Sequence, residues 1–574
     1  MKRNNRRVRL TWVAVLVWIT ALVGSYPVAG ARNISDWSIP VKLKVNSEFE
    51  EFSPDMSKNS LSLYVTSAQW DSAVKTSWSP GVPVVMTTEG SPIKLGPNVN
   101  SSFKERSPVL PVQAGAFMAL GCQDGEPGGK ASNSTDEKPD QVLEWNQIFI
   151  DTLIATNTAN SSSQRLGAIV HTAIFDAYNG IKRRYTPIFV HDEAPHGASR
   201  RAAVIAAGYT ALVGLFPSRQ AALDESYAAS LAALSDNCDD ARQSRRRQRS
   251  CIRRIERGIA WGTDVAHAVL AWRATDGFSA SYPPFTGGTA VGQWQPTPPA
   301  FGAMSAQGLA FTTMFVLDSN TQFRPGPPRS LISATYTDDF NAVKALGRKT
   351  ESTRTPDQTA LAPFWEGNAS IHWNQAANQM ARANHLSMSD SNRLLAVLNV
   401  AMADTAITTW SAKRFYGSLS FEVTWRPVTS IPLAGTDGNP DTDPDPVWLP
   451  LINTPSHPEY PAGHPSLNGA AATILLSYFR RDQTFTLTTI GQPNRTYTSI
   501  AQARSDGNNA RVWGGMHYPS TVEISDAEGE AIANYVNLNS MQRLHRRDED
   551  DGDHDDRDDD KEDRERRSER GGRR

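Results

Sequence analysis

Three short segments of this 574-residue chain combine basic side chains with histidine. They are Lys413 to Pro427, His457 to Pro465 and Arg511 to Pro519. An arginine side chain offers a planar fork that can bind two oxygens of an anion, and a lysine adds a compact positive charge. Two arginines and one lysine suit a tetrahedral or trigonal oxyanion, so the sequence predicts an oxyanion site that includes Lys413, Arg426 and Arg511.

A glycine and two histidines complete the predicted site. Gly463 lies in a turn before a predicted helix that begins near Pro465, and N–H groups at a helix start attract anions. Of His464 and His517, one can attack or coordinate the central atom while the other moves protons near neutral pH. Each residue alone is more often an ordinary turn or loop residue, so the prediction depends on their combination.

Long helices are expected to position these segments. Apolar residues recur at helical spacing from about residue 141 to 540, and Pro- and Gly-rich connectors lie between the helical stretches. This pattern predicts an all-α fold of helical bundles. Ser525 and Glu528 have the form of a capping box for the last helix. The predicted helices are Val142–Thr156, Gly167–Tyr178, Arg201–Phe216, Gln220–Leu234, Ile255–Trp272, Arg393–Trp410, Ser466–Tyr478 and Asp526–Tyr535.

Residues 1–31 have the order of a secretory signal peptide. A basic start is followed by the mostly apolar run from Leu10 to Gly24 and by the small residues of Ala29 to Ala31. The run is short for a membrane anchor, and no later stretch is long and apolar enough to span a bilayer. We therefore expect a secreted, periplasmic or extracellular protein without a stable membrane span after cleavage. The net charge of −2 gives no case for a nucleic-acid partner.

Residues 32–122 differ in composition and repeat internally. Pro40 to Leu43 recurs as Pro92 to Leu95, and flanking motifs recur at offsets of 52 to 54 residues. The repeat predicts two β-repeat-like units or an irregular segment before the helical domain. The stretch Leu95 to Ser101 resembles the repeats of periplasmic WD40-like propellers, although two units cannot close a propeller. Residues 123–140 are expected to be a linker.

The cysteines and the C-terminal tail give two further expectations. Cys238 and Cys251 can close a small disulfide loop or remain free thiols, and Cys122 is left over. Residues 546–574 hold 14 acidic and 10 basic residues among 29, without an apolar stripe. The tail 541–574 is therefore predicted to be disordered.

The three basic segments resemble the three-part signature of the vanadium-dependent haloperoxidase and acid phosphatase superfamily. That signature is Lys…Arg-Pro, then Pro-Ser-Gly-His, then Arg with His six positions later. Further stretches resemble the haloperoxidase branch, and the similarity spans about residues 141–540. These stretches are Trp145-Asn146, His171 to Asn179, Asp276-Gly277, Gln295 to Pro299, Asp357-Gln358 and Phe364-Trp365.

The resemblance implies helical bundles of the vanadium haloperoxidase type and vanadate as the cofactor. Lys413, Arg426 and Arg511 would hold its oxygens, Gly463 would add an N–H, and His517 would coordinate vanadium. His464 would be the acid–base group. The implied partners are hydrogen peroxide and a halide, whose reaction gives hypohalous acid. A homo-oligomer is left open.

Three departures from the family pattern concern the site. The family serine before Gly-His is Ala462, and the aspartate expected four residues after His517 is Thr521. Either Thr521 itself accepts a weaker bond from the histidine, or Glu523 or Asp526 replaces the aspartate. Lys413 precedes Arg426 by thirteen positions, where the family has about seven, so either the extra residues loop out or the lysine is displaced. These changes bear on turnover more than on the fold.

His457 is the candidate residue for halide preference. His457 occupies a position where bromide-oxidising relatives often carry histidine, which favours bromide or iodide over chloride; alternatively it is a loop histidine bonded to backbone.

A phosphohydrolase that uses His517 as nucleophile would need the same residues. A third alternative is an inactive member that acts as a secreted binding protein.

Overall fold

The described residues of this computed structural model are 61–63, 84–86, 92–94, 140–235, 238, 244–479 and 482–544. The chain divides into two compact units, Met1–Lys130 and Ala131–Arg574. The first unit contains a three-stranded antiparallel sheet in the order β1 (Leu61–Leu63), β2 (Val84–Met86) and β3 (Pro92–Lys94).

The sheet includes only one of the two copies of the predicted repeat motif. Strand β3 coincides with the second repeat motif, whereas the first motif lies outside the described residues. The proposed signal peptide, residues 123–139 of the linker and Cys122 also lie outside them, as does the tail after Leu544. The predicted domain boundaries and the WD40-like resemblance therefore stay predictions.

The second unit is built from helices, as the sequence predicts. A short antiparallel hairpin, β4 (Asp482–Leu487) with β5 (Arg495–Ser499), is a small addition that the sequence reading missed. The helices are α1 (Gln141–Ala155), α2 (Asn160–Asn179), α3 (Arg200–Leu215), α4 (Gln220–Ser235), α5 (Arg245–Ala274), α6 (Ala334–Leu346), α7 (Pro356–Phe364), α8 (Ala369–Ala383), α9 (Met388–Gly417), the single turn α10 (Pro427–Ser430), α11 (Gly463–Tyr478), α12 (Ile500–Trp513) and α13 (Pro519–Asn539).

Side-chain caps fix where several helices begin. The Asp140 carboxylate accepts the N–H groups of the first turn of α1, and Ser387 caps α9 in the same way. Thr355 and Gln358 form a reciprocal capping box at the start of α7, a helix that periodicity alone did not indicate. Each cap satisfies N–H groups that the helix itself leaves without partners.

The predicted capping box of Ser525 and Glu528 is wrong. Helix α13 begins at Pro519, six residues earlier, so both residues lie in its interior and are buried. The Ser525 hydroxyl accepts the N–H of Ala462, and the Glu528 carboxylate accepts the hydroxyl of Ser466. Both side chains therefore bind the start of α11 and not the start of their own helix.

Helix α9 packs against several of the other long helices. It contacts α2, α11 and α13. By length and composition, α9 is apolar enough to span a membrane, which corrects the expectation that no such stretch exists. The bent pair of α3 and α4 passes the same test if the two helices are taken together. The apolar window of α9 is entirely buried, as expected for a core helix.

Two glycines bring α11 and α13 into close contact. A Cβ at Gly469 would lie 2.2 Å from the carbonyl oxygen of Asp526, and one at Gly529 would lie 1.8 Å from that of Ser466. Only hydrogen fits at either position, so the two helices cross almost backbone to backbone. This crossing fixes the start of α11 relative to the loop that precedes α13.

Of the two alternatives for the cysteine pair, the structure has the disulfide. Cys238 and Cys251 are bonded, with a Cα–Cα distance of 5.7 Å. The bond joins the segment after α4 to the first turns of α5.

Candidate functional site

Five places in the second unit contribute to one buried cluster. Lys413 comes from the last turns of α9, and Arg426 precedes α10. Gly463 and His464 begin α11, Arg511 lies in the last turn of α12, and His517 lies in the loop before α13. The side chains of Lys413, Arg426, His457, Arg511 and His517 are all at least nine-tenths buried. Hydrogen bonds join Lys413, Arg426 and His517 through residues 457–459, and the charge of Arg511 acts on both His464 and His517.

Lys413 lies in the cluster despite its unusual spacing from Arg426. Its Nζ donates to the carbonyl oxygens of Pro458 (2.7 Å) and Glu459 (3.2 Å). Helix α9 ends at Gly417, and the residues that follow loop outward, with Phe421 77% exposed. The extra residues thus form a loop after α9 while Lys413 contacts residues 458 and 459, which favours the first of the two possibilities left by the sequence.

The guanidinium of Arg426 binds four protein atoms. Its Nε donates to the carbonyl oxygen of His457, and its Nη2 contacts His457 Nδ1 at 2.8 Å. Its Nη1 donates to the carbonyl oxygen of Met516 and lies 2.9 Å from His517 Nε2. His457 therefore contacts Arg426 of the candidate site, and its Nδ1 also lies 3.2 Å from the carbonyl oxygen of Pro458, so both interpretations of this histidine have a contact in the structure.

The contacts of His517 define which ring nitrogen carries the proton. Arg426 can only donate, so His517 Nε2 accepts from it and presents its lone pair there. The proton is therefore on Nδ1, which donates to Oε1 of Glu459 at 2.9 Å. Burial, followed by the charges of Arg426 and Lys413, holds the pKa of His517 well below its usual value, so the ring is neutral.

Arg511 differs from Arg426 in having unused donors. Its side chain is buried, and within the described part of the chain its Nε and Nη1 have no hydrogen-bond partner. Burying a donor without a partner costs about 1–3 kcal/mol, more for a charged group. Such groups are expected where a ligand supplies the missing acceptor.

His464 has neighbours that suit two protonation states. Its Nε2 lies 3.3 Å from Asn160 Nδ2 and 3.3 Å from the carbonyl oxygen of Gly367. The unprotonated nitrogen can accept from the amide, and the protonated nitrogen can donate to the carbonyl. Burial and the charge of Arg511 hold its pKa well below the usual value, so the neutral ring predominates in the free protein.

Burial destabilises the charged forms of the clustered basic side chains. Burial is the main cause that lowers the pKa of Lys413 well below its usual value, that of Arg426 to about 9 and that of Arg511 to about 10. Burial also raises the pKa of Glu459 to about 7, although Arg426 and Lys413 oppose that change. A bound anion would supply the opposite charge that these cations lack, so the electrostatics suit an oxyanion.

Two contributors were missed by sequence reasoning. The carboxylate at His517 comes from Glu459, whereas Glu523 and Asp526 were the suggested replacements; Asp526 instead pairs with Arg504. Asn160, at the start of α2, was not singled out for the site either. Glu459 stands within the quoted His457 to Pro465 segment, so its charge was visible, whereas the approach of Asn160 depends on tertiary packing.

Comparison with known proteins agrees with this fold. The second unit has the helical-bundle fold of the vanadium haloperoxidases, which confirms the predicted fold class and agrees with the resemblance seen in the sequence. Residues 393–546 match the family model described as the VCPO second helical-bundle domain, a stretch that contains every candidate site residue except Asn160.

Two solved structures are similar to this chain at low sequence identity. The first bacterial vanadium-dependent iodoperoxidase is 22% identical with a TM-score of 0.59, over 73% of this chain and 100% of that chain. Holo-type bacterial vanadium-dependent chloroperoxidase is 17% identical with a TM-score of 0.48, over 66% of this chain and 91% of that chain. No curated protein matches the chain.

Proposed function

We propose that this protein is a vanadate-dependent haloperoxidase that oxidises bromide or iodide with hydrogen peroxide to hypohalous acid. One observation carries the proposal: the buried Arg511 guanidinium has two donor nitrogens, Nε and Nη1, without partners among the described residues, near Lys413, Arg426 and a neutral His517. This donor set fits vanadate, because it offers several positive hydrogen-bond donors for oxygens and one nitrogen lone pair for the metal.

Each residue of the candidate site has its own role in this reaction. Bound vanadate supplies a Lewis-acidic centre that activates hydrogen peroxide for attack by halide. Lys413, Arg426 and Arg511 hold the oxygens and neutralise their charge, and the Gly463 N–H lies at the start of α11, outside the hydrogen-bond ladder of that helix. His517 Nε2 provides the coordinating lone pair. His464 takes up or releases the proton, using Asn160 and Gly367 as alternative partners.

Phosphate hydrolysis is the second candidate function. Phosphate has the same tetrahedral geometry as vanadate, and the lone pair of the buried, neutral His517 Nε2, once it leaves its hydrogen bond with Arg426, is also that of a nucleophile. The donor set alone does not separate the two reactions, so the experiment below measures both.

The preference for bromide or iodide over chloride rests on His457. The histidine is 8% exposed and bonded to Arg426, and its ring centroid lies 5.3 Å from that of Trp410.

We also propose that the protein is exported, on the basis of its N-terminal sequence.

The decisive experiment loads the purified protein with orthovanadate. Bromination of a dye is measured with peroxide and bromide, with iodide and chloride in parallel, and phosphatase activity is measured without vanadate. We expect bromide and iodide oxidation that is lost in His517→Ala and kept in the control His267→Ala, an exposed histidine on α5. Hydrolysis without halogenation would favour the phosphatase. Absence of both activities in the wild-type protein would favour a binding protein.

A further inference from the structure

Three consecutive residues bind three different groups of the site. The carbonyl oxygen and the Nδ1 of His457 contact Arg426, and the carbonyl oxygens of Pro458 and Glu459 accept from Lys413. The Glu459 side chain accepts from His517 Nδ1. Segment 457–459 therefore contacts each of these groups through an acceptor atom.

The carboxylate of Glu459 is the most specific of these contacts. It is 1% exposed, and Oε1 accepts both the His517 Nδ1–H (2.9 Å) and the Tyr518 N–H (3.2 Å). Its Oε2 accepts the Thr521 hydroxyl at 3.1 Å. A carboxylate with three donors around it is held in one orientation, and it holds the imidazole in turn.

We propose that Glu459 is the positioning residue of His517 and replaces a carboxylate that position 521 does not supply. By accepting from Nδ1, Glu459 keeps the His517 lone pair on Nε2 and raises the basicity of that nitrogen. Thr521 contacts the same carboxylate, so the side chain at position 521 points to the place that Glu459 occupies. The proposal rests on the proposed function, because it assigns the orientation of the atom that would coordinate vanadium.

The opposite assignment would leave the arrangement inconsistent. If the proton of His517 were on Nε2, that nitrogen would face a donor of Arg426 without a lone pair to offer. The Glu459 carboxylate would then face an Nδ1 lone pair across 2.9 Å. Glu459 at Nδ1 and Arg426 at Nε2 therefore satisfy both ring nitrogens together, and loss of the carboxylate would let the ring rotate or change tautomer.

The test compares four forms of the full-length protein: wild type, Glu459→Gln, Glu459→Ala, and Glu459→Ala combined with Thr521→Asp. Vanadate affinity is measured by titration with orthovanadate, and the His517 tautomer by ¹⁵N NMR of the vanadate-free protein, with melting temperature recorded for each. Loss of a partner that orients a metal-binding histidine typically lowers metal affinity about 10–100-fold.

We expect Glu459→Ala to lower vanadate affinity about 10–100-fold and to abolish the single Nδ1–H tautomer. Thr521→Asp should restore both. Glu459→Gln, which keeps the volume and an acceptor oxygen but not the charge, should keep the tautomer with a smaller loss of affinity. It also provides the comparison if the alanine variant does not fold.

Two results would overturn the proposal. One is wild-type affinity and tautomer in the alanine or glutamine variants. The other is a loss that follows melting temperature alone and is not restored by Thr521→Asp in a folded protein. If wild-type protein binds no vanadate, the proposed function fails, while the tautomer measurement still decides the role of Glu459.

Discussion

Arg426 and Arg511 share a side-chain type and near-complete burial but differ in their partners. Arg426 binds His457, Met516 and His517, so most of its N–H groups have acceptors in the protein. Arg511 retains two donors without partners in the described part of the chain. Arg426 therefore contributes to the internal order of the site, whereas Arg511 is the residue whose donors a ligand would use most directly.

Replacing Arg511 should separate ligand binding from stability. We expect Arg511→Met to lower vanadate affinity at least about 10-fold, since each lost bond to a charged group is worth about 1.5–3 kcal/mol. The melting temperature should stay the same or rise, because two donor nitrogens of this buried guanidinium have no partner among the described residues, and such burial is costly. Thermal unfolding and vanadate titration measure the two effects.

Arg504→Met is the matched control on the same helix. Arg504 binds Asp526 through two bonds of 2.7 Å and Glu530 through a third. Its replacement should lower the melting temperature and leave vanadate affinity unchanged. The expectation for Arg511 would be contradicted if both variants lost stability and affinity in parallel.

At the scale of elements, the site depends on how closely α11 and α13 approach. The start of α11 carries Gly463 and His464, and the loop before α13 carries His517. Contacts across the pair, including Ser466 with Glu528 and Ala462 with Ser525, add hydrogen bonds to the close crossing. The relative position of the two histidines is therefore set by backbone contact.

A methyl group at Gly529 should separate these helices. Its Cβ would lie 1.8 Å from the carbonyl oxygen of Ser466, so the backbone must shift. We expect Gly529→Ala to lower the free energy of unfolding by about 1–3 kcal/mol or more. Vanadate affinity should also fall, because the start of α11 moves relative to the loop of His517.

Gly326→Ala is the comparison for that variant. No atom lies within 4 Å of a Cβ at Gly326, so chemical denaturation should show a change within about 0.5 kcal/mol. Equal stability of the two variants would show that the α11–α13 crossing tolerates a side chain.

The sequence predicted the elements better than their ends. Apolar periodicity identified α9 from Arg393 to Trp410, and the structure extends it to Met388–Gly417. The extension matters because it includes Lys413. Helices α6, α7, α8 and α12 were not predicted; α12 carries Arg511 as a buried cation, which does not contribute to an apolar stripe. The motifs located the site, whereas Glu459 and Asn160 required the three-dimensional packing.

For the whole molecule, buried carboxylates link stability to pH. Burial raises the pKa of Asp176 and Asp404 to about 6 and that of Glu528 to about 7. An acid whose pKa is higher in the folded protein than in the unfolded chain binds more protons when folded. Its contribution to stability therefore declines as pH rises through the interval between the two values.

Glu528→Gln should remove one part of this dependence. Its Oε2 accepts from Thr409 and Ser466, and its Oε1 is buried without a partner in the described part of the chain. We expect the variant to be more stable than wild type at pH 8, by on the order of 2 kcal/mol, and to differ little at pH 4.5. Chemical denaturation at the two pH values measures the difference.

Glu523→Gln is the control for the pH experiment, because Glu523 is exposed on the same helix. It should change stability little at either pH. An equal gain for Glu528→Gln at both pH values would contradict the assigned titration.

The contact between Arg426 and His517 also has a kinetic consequence. In the free protein, the lone pair that would coordinate vanadium already accepts a hydrogen bond from Arg426. Loading is then an exchange of one partner for another, and its rate includes the breaking of a buried hydrogen bond. Association should be slower than simple diffusion into an open cleft would allow, with a marked temperature dependence, while the same contact keeps the site ordered until an oxyanion arrives.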